Sequence, residues 1–112
     1  METKKYLSLI DREMAQMPDF VKEYQLETRH SLTTSYQYLT EIRRFFSWLI
    51  AENLTQAKSP SQVLPSDLEK LSRSDVMLYL DKLEHSRNKQ GHLNSPTTVN
   101  RSLNALRSLY KY

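Results

Sequence analysis

The sequence predicts an all-α fold, a single bundle of four to five helices over residues 1–112. The length of 112 residues is typical of one domain, and 38% hydrophobic residues can supply one modest core. With one glycine and four prolines, the chain lacks the turn residues that an all-β sandwich or barrel needs every ~8–12 residues. Apolar residues recur at spacings of three and four instead, as they do on one face of a helix.

The first two helices are predicted over residues 5–17 and 18–27. Pro18 suits the first turn of the second helix, because its missing N–H is not needed there. The residues spaced to face inward are Tyr6, Leu9, Ile10, Met14, Met17, Phe20, Val21, Tyr24 and Leu26.

The strongest helical pattern covers residues 34–52. Its inward stripe and the aromatic residues beside it are Leu39, Ile42, Phe46, Leu49, Tyr38, Phe45 and Trp48. Either Ser31 or Thr33 can cap its first turn, and Asn53 suits its C-terminal end. Polar residues 54–65 predict a loop, and the capping-box spacing of Ser66 and Glu69 predicts one short turn.

Two further helices are predicted, one from Ser72 to about Ser86 and one over residues 96–112. Ser72 and Asp75 have capping-box spacing, and Ser95 and Pro96 fit the N-cap and first position of the last helix. Residues 87–94, which hold the single glycine, predict a loop. The residues expected to face the core are Val76, Leu80, Leu83, Val99, Leu103, Leu106 and Tyr110, with Leu109 beside them.

Charge is distributed unevenly along the chain. Residues 1–84 hold eleven Lys and Arg against thirteen Asp and Glu, whereas residues 85–112 hold five Lys and Arg and no acidic residue. The first part therefore has a net charge of −2 and the second +5. This asymmetry indicates either a face for a polyanion or a solvated basic tail.

The polar faces opposite the apolar stripes carry hydroxyls, amides and arginines. They comprise Thr33, Gln37, Thr40 and Arg44 on the long helix and Thr97, Arg101 and Ser108 on the last, flanked by Asn100, Asn104 and Arg107. A face that serves solubility would more often alternate Glu and Lys. Hydroxyls can bind phosphates, and Arg and Gln can pair with base edges in the major groove, so this mixture favours DNA.

Hydroxyl clusters begin both of these helices, at residues 33–35 and 95–98. Helix N-termini present unpaired N–H groups that favour an anion. Each cluster fits a simple N-cap or a phosphate site, and the arginine-bearing faces that follow support the second interpretation.

No catalytic, cofactor or metal site is predicted. The chain has no cysteine, and His30, His85 and His92 lack metal-ligand spacing and are expected at the surface. One glycine excludes a glycine-rich phosphate loop. Since no apolar run approaches the ~18–20 residues of a membrane helix, we expect a soluble cytoplasmic protein without a membrane partner.

The aromatic residues could stack on single-stranded bases. However, Tyr38, Tyr79 and Tyr110 are spaced with aliphatic residues as on a helix face, which favours packing at the core. Tyr36 is predicted on the outer side of the long helix, within reach of the DNA backbone.

Three stretches resemble a known family: TTSYQYLTEIRRFFSWL (33–49), LSRSDVMLYL (71–80) and SPTTVNRSLNALRSLYKY (95–112), the last being the most specific. Together they resemble the N-terminal core-binding domain of tyrosine recombinases, the phage-integrase and Xer-type enzymes. With MPDFVKEY (17–24), they are most similar to the XerS-type recombinases of Gram-positive bacteria. The resemblance covers essentially the whole chain and implies a SAM-like helical bundle that forms half of a C-shaped clamp around duplex DNA.

The resemblance also implies which residues face DNA. The family's two DNA-facing helices match residues 34–52 and 96–112, and Arg101 is the expected base-edge contact. Arg43 and Arg107 are expected at phosphates, with Lys89 and Lys111 as weaker phosphate partners. The full predicted set is Thr33, Thr34, Tyr36, Gln37, Thr40, Arg43, Arg44, Lys89, Ser95, Thr97, Thr98, Arg101, Arg107 and Lys111.

Catalysis in the family belongs to a separate C-terminal domain that this chain lacks, so we expect a non-catalytic DNA-binding domain of a site-specific recombinase. Tyr110 and Tyr112 match the passage into the interdomain linker and not the nucleophile. The implied partners are a duplex recombination half-site and, when assembled on DNA, other recombinase protomers. The isolated domain is expected to be a monomer in solution. Chromosome dimer resolution, phage integration and transposon movement all remain open as the biological task.

A helical protein–protein interaction module is the alternative. An exposed apolar patch, with the arginines held in intramolecular ion pairs, would favour it. A small transcriptional regulator would need a helix-turn-helix with a turn of about three to four residues. The predicted loops at 54–65 and 87–94 are too long and polar for that motif.

Overall fold

A computed structural model describes residues 2–28, 30–86, 91 and 96–111. The helices are α1 (Glu2–Ala15), α2 (Asp19–Thr28), α3 (Leu32–Ala51), α4 (Pro65–Glu69), α5 (Arg73–His85) and α6 (Pro96–Lys111), with a 3-10 turn at Pro60–Gln62. The described residues contain no strand, and the predicted all-α class is confirmed. No helix in these ranges is both long enough and apolar enough to span a membrane.

The long helix α3 is the centre of the bundle, and α1, α5 and α6 pack around it. Its predicted stripe is fully buried, as is Phe45 beside it. Tyr79 of α5 packs edge-on against Phe45, with ring centroids 5.0 Å apart, and also meets Trp48 at 5.3 Å. The buried hydrophobic residues are Ile10, Met17, Val21, Tyr24, Leu39, Ile42, Phe45, Phe46, Leu49, Val63, Leu68, Tyr79, Leu80, Ala105, Leu106 and Leu109.

Local capping decides where several helices begin and end. Ser31, and not Thr33, caps α3: its Oγ accepts a hydrogen bond from the Thr34 N–H at 3.3 Å. Asn53 ends this helix with a φ of 58°, a left-handed conformation that asparagine tolerates. The capping box of Ser72 and Asp75 is confirmed by reciprocal hydrogen bonds of 2.9 and 3.1 Å.

The predicted capping box at Ser66 and Glu69 is wrong. The N-cap of α4 is Leu64, two residues before Ser66, and the helix begins at Pro65, where a missing N–H costs nothing. The carboxylate that closes its first turn is Asp67, which accepts the Leu64 N–H at 2.9 Å and the Thr55 hydroxyl at 2.8 Å. Asp67 thus fixes α4 to the loop that follows α3.

Two inward predictions also need correction. Leu26 is 69% exposed, because α2 buries only the side that carries Val21 and Tyr24. Helix α6 turns Ser102, Ala105, Leu106 and Leu109 to the core and leaves Tyr110 45% exposed. The small Ser102 and Ala105 side chains permit close approach to α3, so that side of α6 is buried in place of the Tyr110 side.

Candidate nucleic-acid interface

Helices α3 and α6 lie antiparallel along one side of the bundle. Glu41, midway along α3, contacts Ser102, whereas His30, which precedes α3, lies 3.5 Å from Ser108 near the end of α6. The beginning of α3 therefore lies beside the end of α6. Thr34 and Thr97, each near the N-terminus of its helix, consequently lie towards opposite ends of the helix pair.

An open cleft of about 320 Å³ lies between these two helices. It is lined by Thr34, Gln37, Tyr38, Thr97, Asn100, Arg101 and Asn104. Four of these belong to the predicted set, namely Thr34, Gln37, Thr97 and Arg101. The structure thus brings the polar faces of the long and last helices together in one concave surface.

The lining of the cleft contains no acidic side chain. Across the described ranges, the side chains of Gln37, Asn100, Arg101 and Asn104 form no hydrogen bond or ion pair with the rest of the protein. The Thr34 hydroxyl, by contrast, accepts a hydrogen bond from Ser31 at 3.0 Å. Three amides and one guanidinium are therefore available to a ligand in the cleft.

A buried carboxylate joins the two helices beside the cleft. Glu41 is only 4% exposed, and its Oε1 accepts a hydrogen bond of 2.5 Å from the Ser102 hydroxyl. Its second oxygen lies 3.6 Å from the guanidinium of Arg44, which reaches it from one turn further along α3. A buried carboxylate needs such partners, since it has lost its hydration. The neighbouring Tyr79 hydroxyl is itself buried, and this burial, together with the negative charge of Glu41, raises the pKa of Tyr79.

Tyr38, expected at the core, lines the cleft and packs against the His30 ring. The two rings meet edge-on with centroids 5.1 Å apart. His30 is half-buried, contrary to the surface position expected of it, because it also packs against Tyr24. The Tyr24 hydroxyl lies 2.7 Å from that of Ser108, and burial raises the pKa of Tyr24. Ser108 therefore faces the core and not the predicted outer face.

Helix α1 covers part of the face that was predicted to meet DNA. The Nε of Arg43 donates to the nearly buried Glu13 carboxylate of α1 at 2.6 Å. Tyr36 is half-buried, with its ring 6.0 Å from that of Tyr6, so the prediction that it lies on the outer side is wrong. Thr40, on the same side, donates its hydroxyl to the Tyr36 carbonyl at 2.9 Å.

The remaining predicted residues lie apart from the cleft. Ser35 is buried and donates to the His30 carbonyl at 3.3 Å, whereas Thr33 is exposed. Arg107 borders a second groove, between α5 and α6. Lys111 is exposed two turns beyond Asn104, on the same side of α6. Thr98 is half-buried near the start of α6. Lys89 and Ser95 lie outside the described residues and stay predictions.

The two features that would favour an interaction module occur only in part. Met77 and Leu78 on α5 are 55% and 50% exposed, which gives an apolar patch. Arg43 and Arg44 are held in ion pairs. Arg101, however, has no such partner in the part of the chain that the structure describes, and it lies in the cleft. The guanidinium that the sequence predicts at a base edge is therefore free to bind a ligand in the cleft.

Comparison with known proteins assigns the chain to a family. The chain is 41% identical over its full length to tyrosine recombinase XerS of Streptococcus mutans serotype c, and 40% identical to that of Streptococcus pneumoniae strains Hungary19A-6 and CGSP14. It spans 33% of each of these relatives, about a third of their length. No solved structure matches the chain at a significant level. Residues 19–112 match the family model described as phage integrase, N-terminal SAM-like domain. The resemblance noted in the sequence is confirmed, and the chain belongs to the phage integrase N-terminal SAM-like domain family.

Proposed function

We propose that this chain recognises duplex DNA as the N-terminal domain of a site-specific tyrosine recombinase. The observation that carries the proposal is Arg101, which lies in a cleft without acidic residues and has no ion-pair partner among the described residues. An arginine can bind guanine O6 and N7 with two parallel hydrogen bonds in the major groove. The major groove of B-DNA is wide enough to admit an α-helix such as α6.

Phosphate contacts would fix the position of the domain on the duplex. Thr97 at the beginning of α6 is exposed, and helix N-termini favour anions. Lys111 lies on the same side of α6, and Arg107 is exposed beside it. These groups suit phosphate binding, which gives affinity and register but reads no sequence. Arg43 fits this role poorly, because its Nε binds Glu13.

The relatives are named tyrosine recombinases, and this chain spans a third of their length. We infer that the chain itself is non-catalytic and that strand cleavage belongs to the remaining part of such proteins. Its partners would then be a recombination half-site and other recombinase protomers on DNA, in the cytoplasm. Chromosome dimer resolution is one task that this assignment would allow.

Fluorescence anisotropy of a labelled duplex at several salt concentrations tests this function. If about four to six phosphates are neutralised, log affinity should fall against log salt with a slope near −4 to −5. An unlabelled duplex should compete more strongly than single-stranded DNA of equal length. Absence of binding even at low salt would contradict the proposal.

A second candidate is a protein–protein interaction module. The observation that favours it is the exposed Met77 and Leu78 on α5, next to the groove that Leu71, Leu103 and Tyr110 line. Exposed apolar patches often mark interaction sites. This candidate predicts that the chain does not bind duplex DNA even at low salt. It also predicts that Arg101→Ala leaves the affinity for a protein partner unchanged.

A further inference from the structure

The cleft between α3 and α6 contains more carboxamides than a phosphate-binding surface needs. Gln37, Asn100 and Asn104 surround Arg101, and none of the three amides is hydrogen-bonded within the described part of the protein. A phosphate offers only acceptors, so it can use the NH2 group of an amide but not its carbonyl. A ligand that uses both halves of each amide must offer a donor and an acceptor side by side.

Adenine is the base whose major-groove edge has this pattern. It presents the N6 amino group as donor and N7 as acceptor, and Asn or Gln can bind both at once. Guanine presents two acceptors, which suit Arg101, whereas cytosine presents only a donor. The chemistry of the cleft therefore matches adenines close to a guanine.

The spacing along α6 sets the length of DNA that the cleft can reach. Thr97 and Asn104 are seven residues apart, which is about 10 Å at a rise of about 1.5 Å per residue. With about 3.4 Å between base pairs, this distance corresponds to a window of about four base pairs. Asn100 and Asn104 lie on successive turns, so they would reach different bases, and Gln37 approaches from the opposite helix.

We propose that the cleft reads adenines, through Asn100, Asn104 and Gln37, within about four base pairs that include a guanine bound by Arg101. This inference rests on the proposed duplex recognition and adds the bases that the site prefers. Arg101 alone would specify a guanine, whereas the three amides make the half-site rich in A·T pairs at this position.

Selection of binding sites from a random duplex pool, followed by affinity measurements on the selected duplex, tests the inference. We expect enriched adenines within about four base pairs of an enriched guanine. Replacing such an adenine by 7-deazaadenine removes the N7 acceptor but keeps the base pair. This replacement should weaken binding by the wild-type chain roughly ten-fold, because the NH2 group of the amide loses its N7 acceptor.

Alanine variants identify the amide responsible. The affinity of Asn100→Ala, and likewise that of Asn104→Ala, should no longer change when 7-deazaadenine replaces adenine at one position of the duplex. Gln56→Ala, in the exposed loop after α3, is the control and should show the same affinities as the wild type. Selection of guanine without adenine, or equal binding to the 7-deaza duplex, would overturn the inference and leave duplex recognition intact. If no duplex binds at all, the proposed function fails as well.

Discussion

The Ser102 hydroxyl of α6 donates a 2.5 Å hydrogen bond to the buried carboxylate of Glu41 on α3. This bond joins the two helices that form the cleft. The second carboxylate oxygen has the Arg44 guanidinium 3.6 Å away. The relative position of α3 and α6 thus depends on the Glu41 carboxylate, whose partners are Ser102 on α6 and Arg44 on its own helix.

Replacing Ser102 by alanine should destabilise the domain by about 1–3 kcal/mol, because a buried acceptor loses its partner. Urea unfolding measures the difference. Ser47→Ala, at an exposed position of α3, is the matched control and should stay within about 0.5 kcal/mol of wild type. Equal stability of the two variants would show that the hydrogen bond contributes nothing.

We assign a structural role to Arg43 and a binding role to Arg101. Arg43→Met keeps the aliphatic stem but leaves the nearly buried Glu13 carboxylate without its 2.6 Å partner. We expect a loss of about 1–3 kcal/mol in the free energy of unfolding, less than for a fully buried pair, because Arg43 is partly exposed. DNA affinity and its salt dependence, measured below the unfolding transition, should not change. A shallower salt slope would instead indicate a phosphate contact by Arg43.

The cap of α3 offers a test of local structure. The Ser31 Oγ accepts the Thr34 N–H, whereas the exposed Thr33 has no part in the cap. Ser31→Ala should cost about 1 kcal/mol in urea unfolding, and Thr33→Ala should cost less than about 0.5 kcal/mol. The reverse order would mean that Thr33 caps the helix.

Stability should fall in alkaline solution as tyrosines ionise in the unfolded chain. Burial and the Glu41 carboxylate raise the pKa of Tyr79, and burial raises that of Tyr24, from the ordinary value of 10.0. The folded state therefore keeps protons that the unfolded state loses above about pH 10, so stability is complete below that pH and decreases above it. Urea unfolding between pH 8 and 11 should show a shallower decrease for Tyr79→Phe. Parallel curves for the variant and wild type would contradict this origin of the pH dependence.

Local features of the fold could be predicted from sequence, because they depend on residues close together in the chain. The buried stripe of α3, the capping box of Ser72 and Asp75, and the left-handed Asn53 are examples. The orientation of α6 could not be predicted, since the burial of Ser102 follows from its contact with Glu41, 61 residues away.

The same limit applies to the candidate site. Thr34, Gln37, Thr97 and Arg101 were predicted and do line one cleft. Tyr36 is predicted on the outer face and Arg43 at a phosphate, because the pattern of α3 alone gives no indication that α1 packs over them. The polarity of a helix face is thus visible in sequence, whereas its coverage by another helix depends on tertiary packing.

The most direct test of the central claim is the affinity of Arg101→Ala for a selected duplex and for a random duplex, measured by anisotropy beside Arg73→Ala. Arg73 is exposed at the start of α5 and does not line the cleft, so it controls for the loss of one positive charge. We predict that Arg101→Ala costs about 1–3 kcal/mol on the selected duplex and little on the random one, while Arg73→Ala changes both slightly and equally. Wild-type affinity of Arg101→Ala for the selected duplex would contradict the claim that the cleft between α3 and α6 reads DNA sequence.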